Sequence, residues 1–440
     1  MDDVAEHTLE NGLKVLLRET HAVPLVSFVM WYRVGARNER PGMSGASHWV
    51  EHMLFKRTDT LRPGDIGRLV NGVGGTWNGF TTEDTTAYFE TVPSQHVELP
   101  IRIESDRMAN AVFDPDDVAS ERTVIISERE GHEAEPMFLL TEAIEATAFT
   151  THPYGHGVIG SKADLNRMTR DELYGHYRDF YAPNNALAVV VGDIKTNDVI
   201  SRLAASFGEI PAGPTPDPLA SAEPIQTRAR HVEVRHPGPF PILSVCHRVP
   251  EFANADFPAV LVLDALLAGP KSGPFGGGGI VRTSRLYRRF VASGLAAAVG
   301  TDVGFNIDPS LHWITVILKP GAAREPIAEA VDEVIRMLHD SPPASEELSR
   351  AVRQARAKQA IGLEGVTAQA MWLGFLDVAD TWRAAQTFTE RLGAVTPDDV
   401  QRVARAYMCP EQRTTGWFVP AESVQSQHEP GSQPFDRSSS

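Results

Sequence analysis

Cysteine is nearly missing from this 440-residue chain: Cys246 and Cys409 are its only two, far apart and outside any C-x-x-C pair. That excludes a disulfide framework and a thiolate zinc site. No apolar run approaches the roughly 18–20 residues of a membrane span. The start, Met1-Asp2-Asp3-Val4-Ala5-Glu6, lacks the basic and apolar regions of a signal peptide. The chain as given is therefore expected to be cytoplasmic, or periplasmic if an N-terminal signal has been removed. Basic charge is also in short supply: 41 Lys and Arg against 57 Asp and Glu leave a net charge of −16. Such a field repels nucleic acid and attracts basic peptides. What is present is ordinary globular material, 42% apolar and 22% charged, enough for two or three domains at roughly 150 residues each.

A repeat settles the domain count. The segment Thr169 to Pro183 is answered by Thr396 to Pro410, at an offset of 227 residues at both ends. Each copy reads as a helix capped by threonine, with an acid three residues on, that stops before proline and is followed by a strand, Leu187–Val191 or Gly416–Val419. Between the copies, Gly208 to Gln226 carries five prolines among Gly, Ala and Ser, the composition of a stiffened linker. The division expected is 1–207, a linker 208–226, a homologous second domain 227–424, and a polar, serine-rich disordered tail 425–440. In the first half, Lys14–Leu17 and Leu25–Tyr32 read as paired strands, a helix carries His48 to Phe55, and Thr85–Val92 reads as a strand. Asp114–Glu142 reads as one long helix. The fold class expected is α+β: a tandem duplication of two α/β sandwiches, each a mixed, mainly antiparallel sheet with helices on one face.

The chemistry concentrates in Gly45-Ala-Ser-His48-Trp-Val-Glu51-His52. On a helix, positions i and i+4 share a face, so His48 and His52 can offer imidazoles to one metal ion. Glu51 projects beside them, placed to take a proton from an attacking water. This H-x-x-E-H order reverses H-E-x-x-H but meets the same need. A catalytic zinc usually takes three protein ligands, so a third donor is required. Glu121 and Glu128 lie seven residues apart on one helical face; either can bind metal while the other orients a ligand. Glu130 lies off that face.

Several further segments appear in the right order for one family. The chain resembles the pitrilysin/insulinase family of inverted-motif zinc peptidases, and within it the short two-domain members such as bacterial processing proteases and the mitochondrial processing peptidase. In that family the third ligand lies about 76 residues after the second histidine, and 128 − 52 = 76 selects Glu128, leaving Glu121 as the auxiliary glutamate. The block Gly74-Gly75-Thr76-Trp77-Asn78-Gly79 through Tyr88 is similar to the family's substrate-binding edge strand, with Gly79 where alanine is common. A peptide would add to that strand by backbone pairing, with Asn78 donating near the scissile carbonyl; the glycines are equally explained by a tight turn and a close backbone approach. His152-Pro-Tyr-Gly-His156 is similar to the family's H-P-Y-G loop, so His152 and His156 are read as structural.

The second half has no H-x-x-E-H. Where self-sufficient relatives carry an arginine and a tyrosine that reach the substrate and its oxyanion, this sequence, counted back from Gly294, has Phe290 and Ala297; Arg288 or Arg289 can replace only the cation. The resemblance then implies one Zn²⁺ per chain and a zinc-bearing subunit of a heterodimer, its homologous non-zinc partner supplying the missing pair. The function expected is that of a zinc metalloendopeptidase acting on extended, basic peptides in an enclosed chamber. A non-catalytic scaffold subunit of the same family is the alternative, set against by the retention of His48, Glu51, His52 and Glu128. Gly269 to Ile280 is glycine-rich without the G-K-[ST] of a phosphate loop, and reads either as a surface linker or as a mobile loop that handles substrate. Between Glu98 and Glu145 there are 13 acids against 4 bases, a local net of −9.

Overall fold

The computed structural model describes residues 3–216, 222–274 and 278–421. The tail 425–440, part of the linker and the centre of the glycine-rich loop lie outside the described residues. Strands β1 (Val4–Thr8), β2 (Lys14–Glu19), β3 (Leu25–Tyr32), β4 (Thr76–Thr81), β5 (Thr86–Pro93) and β6 (Ala186–Gly192) form one sheet in the order β1-β2-β6-β3-β5-β4. Strands β7 (Arg230–Pro237), β8 (Ile242–Val249), β9 (Ala298–Val303), β10 (Ser310–Ile317) and β11 (Arg413–Ala421) form a second, ordered β7-β11-β8-β10-β9. Apart from the extra edge strand β1, the two orders match strand for strand. Each sheet has one parallel pair, β2 with β6 and β7 with β11, the rest being antiparallel. The fold is a duplicated α+β architecture.

The repeat is carried through in detail. Helix Arg170–Phe180 and helix Pro397–Tyr407 keep the offset of 227 at both ends, as do the 3₁₀ turns Pro183–Asn185 and Pro410–Gln412 that follow them. Each helix begins in a capping box, Thr169 with Glu172 and Thr396 with Asp399. In each, the threonine oxygen satisfies an N–H of the first turn and the acid returns to the cap's own N–H.

Two local expectations are corrected. β2 and β3 are not partners, because β6 from the far end of the domain lies between them, parallel to β2 and antiparallel to β3. The helical pattern 114–142 is two helices, Pro115–Glu133 and Pro136–Ala148. Pro136 has no N–H to continue the first, and its ring forces Glu135 into an extended conformation (φ −92°, ψ 118°).

That break redirects the second helix. Helix Pro136–Ala148 leaves its own domain and packs on β7, β8 and β11 of the second sheet, while helix Val366–Ala379 of the second half packs on β3 and β6 of the first. Each sheet therefore has its own helices on one face and a helix from the other half on the opposite face. Alternation along the strands shows both faces filled: Val15, Phe28, Met30, Ala188 and Val190 enter the first domain's core, while Leu16, Val29, Trp31, Leu187 and Val189 enter the core shared with the second half. This is why β6 reads as an unbroken apolar run. Asp377, nearly inaccessible, accepts from Lys14 (2.6 Å) and Arg33 (2.8 Å) across the same junction.

Candidate metal centre and active site

The helix Ala46–Met53 carries the H-x-x-E-H residues. It starts at Gly45, whose φ of 92° is left-handed and open to glycine without strain. The Glu39 carboxylate accepts the free N–H groups of Gly45 and Ser47, both at 2.8 Å, capping an end that has no side-chain cap of its own. Trp49, Val50 and Met53 face the core. The opposite stripe turns His48 and His52, ring centroids 4.6 Å apart, toward helix Pro115–Glu133.

Glu128 meets them there. Its Oε2 lies 3.9 Å from His48 Nε2 and 3.7 Å from His52 Nε2. Among the described residues these three form a cluster of side chains able to hold a metal ion, ligand atoms within 4.8 Å of one another. Two imidazole nitrogens and one carboxylate oxygen are a donor set suited to catalytic zinc. Burial first, then the neighbouring His52 and His132, push the His48 pKa down to about 3, so its ring is neutral with a lone pair to give. Its buried Nδ1 has no hydrogen-bond partner. His52 is oriented from behind: its Nδ1 lies 2.8 Å from Glu121 Oε1. That contact leaves Nε2 for a metal and is the arrangement that fixes a metal-ligating imidazole. Burial raises the Glu121 pKa, but His52 and Lys56 more than offset it and hold the carboxyl below its usual range.

Glu51 is 7% exposed. Burial raises its pKa, opposed by the Thr81 hydroxyl, which donates to Glu51 Oε2 at 2.7 Å. A carboxylate held above its usual range is suited to taking up a proton near neutrality. Glu130 turns away and pairs with Lys162 at 3.3 Å.

The strand β4 ends the sheet, paired only with β5. Thr76 and Asn78 are exposed, and Trp77 packs on Phe55 with ring centroids 5.1 Å apart. Gly75 and Gly79 have packing reasons: a Cβ at Gly75 would come within 2.7–2.9 Å of Val92, Thr91 and Val70, and one at Gly79 within 3.0 Å of Phe55 and Tyr88. The β4–β5 turn is clamped to the second half. Asp84 accepts from the Tyr154 hydroxyl (2.5 Å), Asn306 Nδ2 (3.1 Å) and the Ile307 N–H (3.0 Å), and His152 Nε2 lies 3.0 Å from Asp308. The H-P-Y-G loop thus ties the two halves together. Between them lies a cavity of about 770 Å³ that reaches Thr81 and is lined by Glu83, Asp84, Glu145, Lys271 and Asp302 among others.

In the second half, Phe290 is fully buried within the π-helical segment Tyr287–Ala292. Arg289 is committed to Glu333 at 2.9–3.0 Å, while Arg288 is exposed. Three side chains that matter at the site were given no role by the sequence: Thr81, which lies within the edge-strand block, against Glu51, Lys56 against Glu121, and Glu39 at the helix start. Lys56 lies just past the end of the helix, in the turn that follows Met53.

Residues 14–162 match the family model described as insulinase (peptidase family M16), and residues 167–355 match the one described as the peptidase M16 inactive domain. The chain belongs to the insulinase family of peptidases. One member similar to it is an uncharacterized zinc protease of Streptomyces coelicolor, 28% identical over 415 residues, covering 91% of this chain and 86% of the relative. A second is a probable mitochondrial-processing peptidase subunit beta of Arabidopsis thaliana, 24% identical, covering 91% of this chain and 75% of the relative. Among solved structures, a protease from Helicobacter pylori superposes with a TM-score of 0.90 at 24% identity, covering 95% of this chain and 99% of that one. That likeness establishes the two-domain insulinase fold. No helix among the described residues is long and apolar enough to cross a membrane.

Proposed function

We propose that this insulinase-family chain is a zinc endopeptidase. The observation that carries the reading is the convergence of His48 Nε2, His52 Nε2 and Glu128 Oε2 beside a buried Glu51. Zinc held by those three side chains supplies Lewis-acid polarisation of water and of the scissile carbonyl. The protein's own residues do the rest. Glu51 takes the proton of the attacking water and delivers it to the leaving amine, Glu121 keeps His52 Nε2 turned inward, and Thr81 holds the Glu51 carboxylate in place. The open edge of β4 receives an extended peptide through backbone pairing, and the exposed Asn78 donates to it.

The cavity beside Thr81 favours basic side chains. Asp84 is matched by Arg37 at 3.3 Å, and Lys271 lies beside Asp302. Burial and then the charge of Glu83 raise the Glu145 pKa, burial and then the neighbouring Asp84 raise that of Glu83, and neither has an ion-pair partner among the described residues. Phe290 and Ala297 leave the second half without the arginine and tyrosine of self-sufficient relatives, and missing oxyanion donors cost about two to three orders of magnitude in rate. A homologous non-zinc subunit completes the site. The test is zinc analysis of the purified chain together with peptide hydrolysis, alone and mixed with such a subunit. One zinc per chain and hydrolysis that rises about a hundredfold or more on mixing are expected. A chain without stoichiometric zinc would be a scaffold, and no gain on mixing would remove the partner from the proposal.

A further inference from the structure

We propose that His132 is a positioning residue that fixes the metal-facing carboxylate of Glu128; the inference rests on the zinc reading of His48, His52 and Glu128. Glu128 and His132 stand one turn apart on the same face of helix Pro115–Glu133. The two carboxylate oxygens of Glu128 face different partners. Oε2 is the atom turned to His48 and His52, whereas Oε1 lies 3.8 Å from His132 Nε2. The Glu128 side chain is 37% exposed, so helix packing alone does not choose its rotamer. The basic side chains within 4 Å of its carboxylate among the described residues are these three imidazoles.

The His132 ring is itself held in place. It stacks on Phe138, ring centroids 5.4 Å apart and planes 23° apart, and the guanidinium of Arg129 lies 5.5 Å from the centroid of the same phenyl ring. Phe138 belongs to the next helix, Pro136–Ala148, so two elements fix the imidazole beside Glu128. Of the three metal-facing groups, His52 is oriented by Glu121. His132 Nε2, at 3.8 Å, stands over Oε1 on the side away from the two histidines, where a small rotation of the Glu128 side chain brings the pair into hydrogen-bond contact and leaves Oε2 as the oxygen presented to a metal. Outer contacts of this kind typically contribute about ten- to a hundredfold in metal affinity.

Zinc affinity, measured by competition with a chromogenic chelator, is the readout, with the visible spectrum of the Co²⁺-loaded protein as a second. His132→Ala is expected to weaken zinc binding about ten- to a hundredfold and to broaden the Co²⁺ bands, with the melting curve of the metal-free protein unchanged. His132→Gln, which keeps an N–H donor, is expected to restore most of the affinity. An alanine variant that binds zinc as tightly as the parent overturns the proposal while leaving the zinc reading intact. A glutamine variant as weak as the alanine variant overturns it too, since the ring nitrogen would then itself be a ligand. A parent chain that takes up no zinc, or a His48→Ala variant that binds it undiminished, removes the zinc reading and this inference with it.

Discussion

In the proposed reaction Glu51 acts through its charge and position, and it stands outside the metal-facing cluster. Its carboxylate is raised by burial, tied to Thr81, and lies outside the set His48, His52 and Glu128. Glu51→Gln keeps the shape and the hydrogen bond to Thr81 but removes the base. Peptide hydrolysis is therefore expected to fall by about three orders of magnitude or more, while metal analysis still finds one zinc per chain. Retained hydrolysis would refute the general-base role, and lost zinc would place Glu51 among the ligands. His48, Glu51 and His52 were legible because helical periodicity makes i, i+3 and i+4 neighbours before any tertiary contact is known. Thr81 was not, since it reaches Glu51 from a strand 30 residues away, and nothing in a threonine marks such a contact. His132 could be placed one turn from Glu128, but only the stacking on Phe138 shows that its ring is held.

At the level of elements, pattern alone misjudged where segments end and what they meet. A helical periodicity runs through 114–142, yet Pro136 divides it and sends the second helix onto the other sheet. Apolar alternation made strands of Lys14–Leu17 and Leu25–Tyr32, but the two do not pair: β6, about 155 residues downstream of β3, lies between them and pairs with both. The chain between the two sheets is pinned at Glu223. Its carboxylate accepts the N–H groups of Thr150, Thr151 and His152 at 2.8–3.0 Å, with Arg248 at 3.6 Å. Burial raises its pKa, but these backbone N–H groups outweigh burial and bring it down to about 2, from an ordinary 4.5. A carboxylate depressed in the folded state contributes stability that is complete above pH 4.5 and is lost as pH falls toward 2. Glu223→Gln is expected to cost about 1–3 kcal/mol at pH 7. The gap between the parent and variant melting temperatures should close as the buffer is taken from pH 4.5 to pH 2. A gap of constant size across that range would mean that the glutamate acts by shape and not by charge.

Across the whole molecule, the exchange of helices makes the two halves a single unit. Helix Val366–Ala379 sits so close to β3 that a Cβ at Gly374 would fall 2.0 Å from the Trp31 indole nitrogen, and a Cβ at Gly416 on β11 would fall 2.5 Å from Ile144 of the opposite helix. One such close approach lies at each of the two junctions between the halves. The excess of acid between Glu98 and Glu145 divides within this frame. Glu104 is taken up by the buried Arg107, which also holds Glu90 of β5, and Glu133 and Glu142 by Arg129. Glu145 remains on the cavity wall beside Glu83, raised by burial and by that like charge. A substrate ammonium or guanidinium placed between them would favour the charged form of both carboxylates, with charge-assisted hydrogen bonds of about 1.5–3 kcal/mol each. Glu145→Gln, which preserves volume, is then expected to lower kcat/KM for a peptide carrying lysine or arginine near the cut by about tenfold to a hundredfold. A matched peptide with glutamine at that place should be cleaved at nearly the parental rate. The ratio of the two rates is the quantity to measure, because it cancels any general loss of folding or zinc, and a ratio equal to that of the parent would show that the cavity acids do not select the substrate.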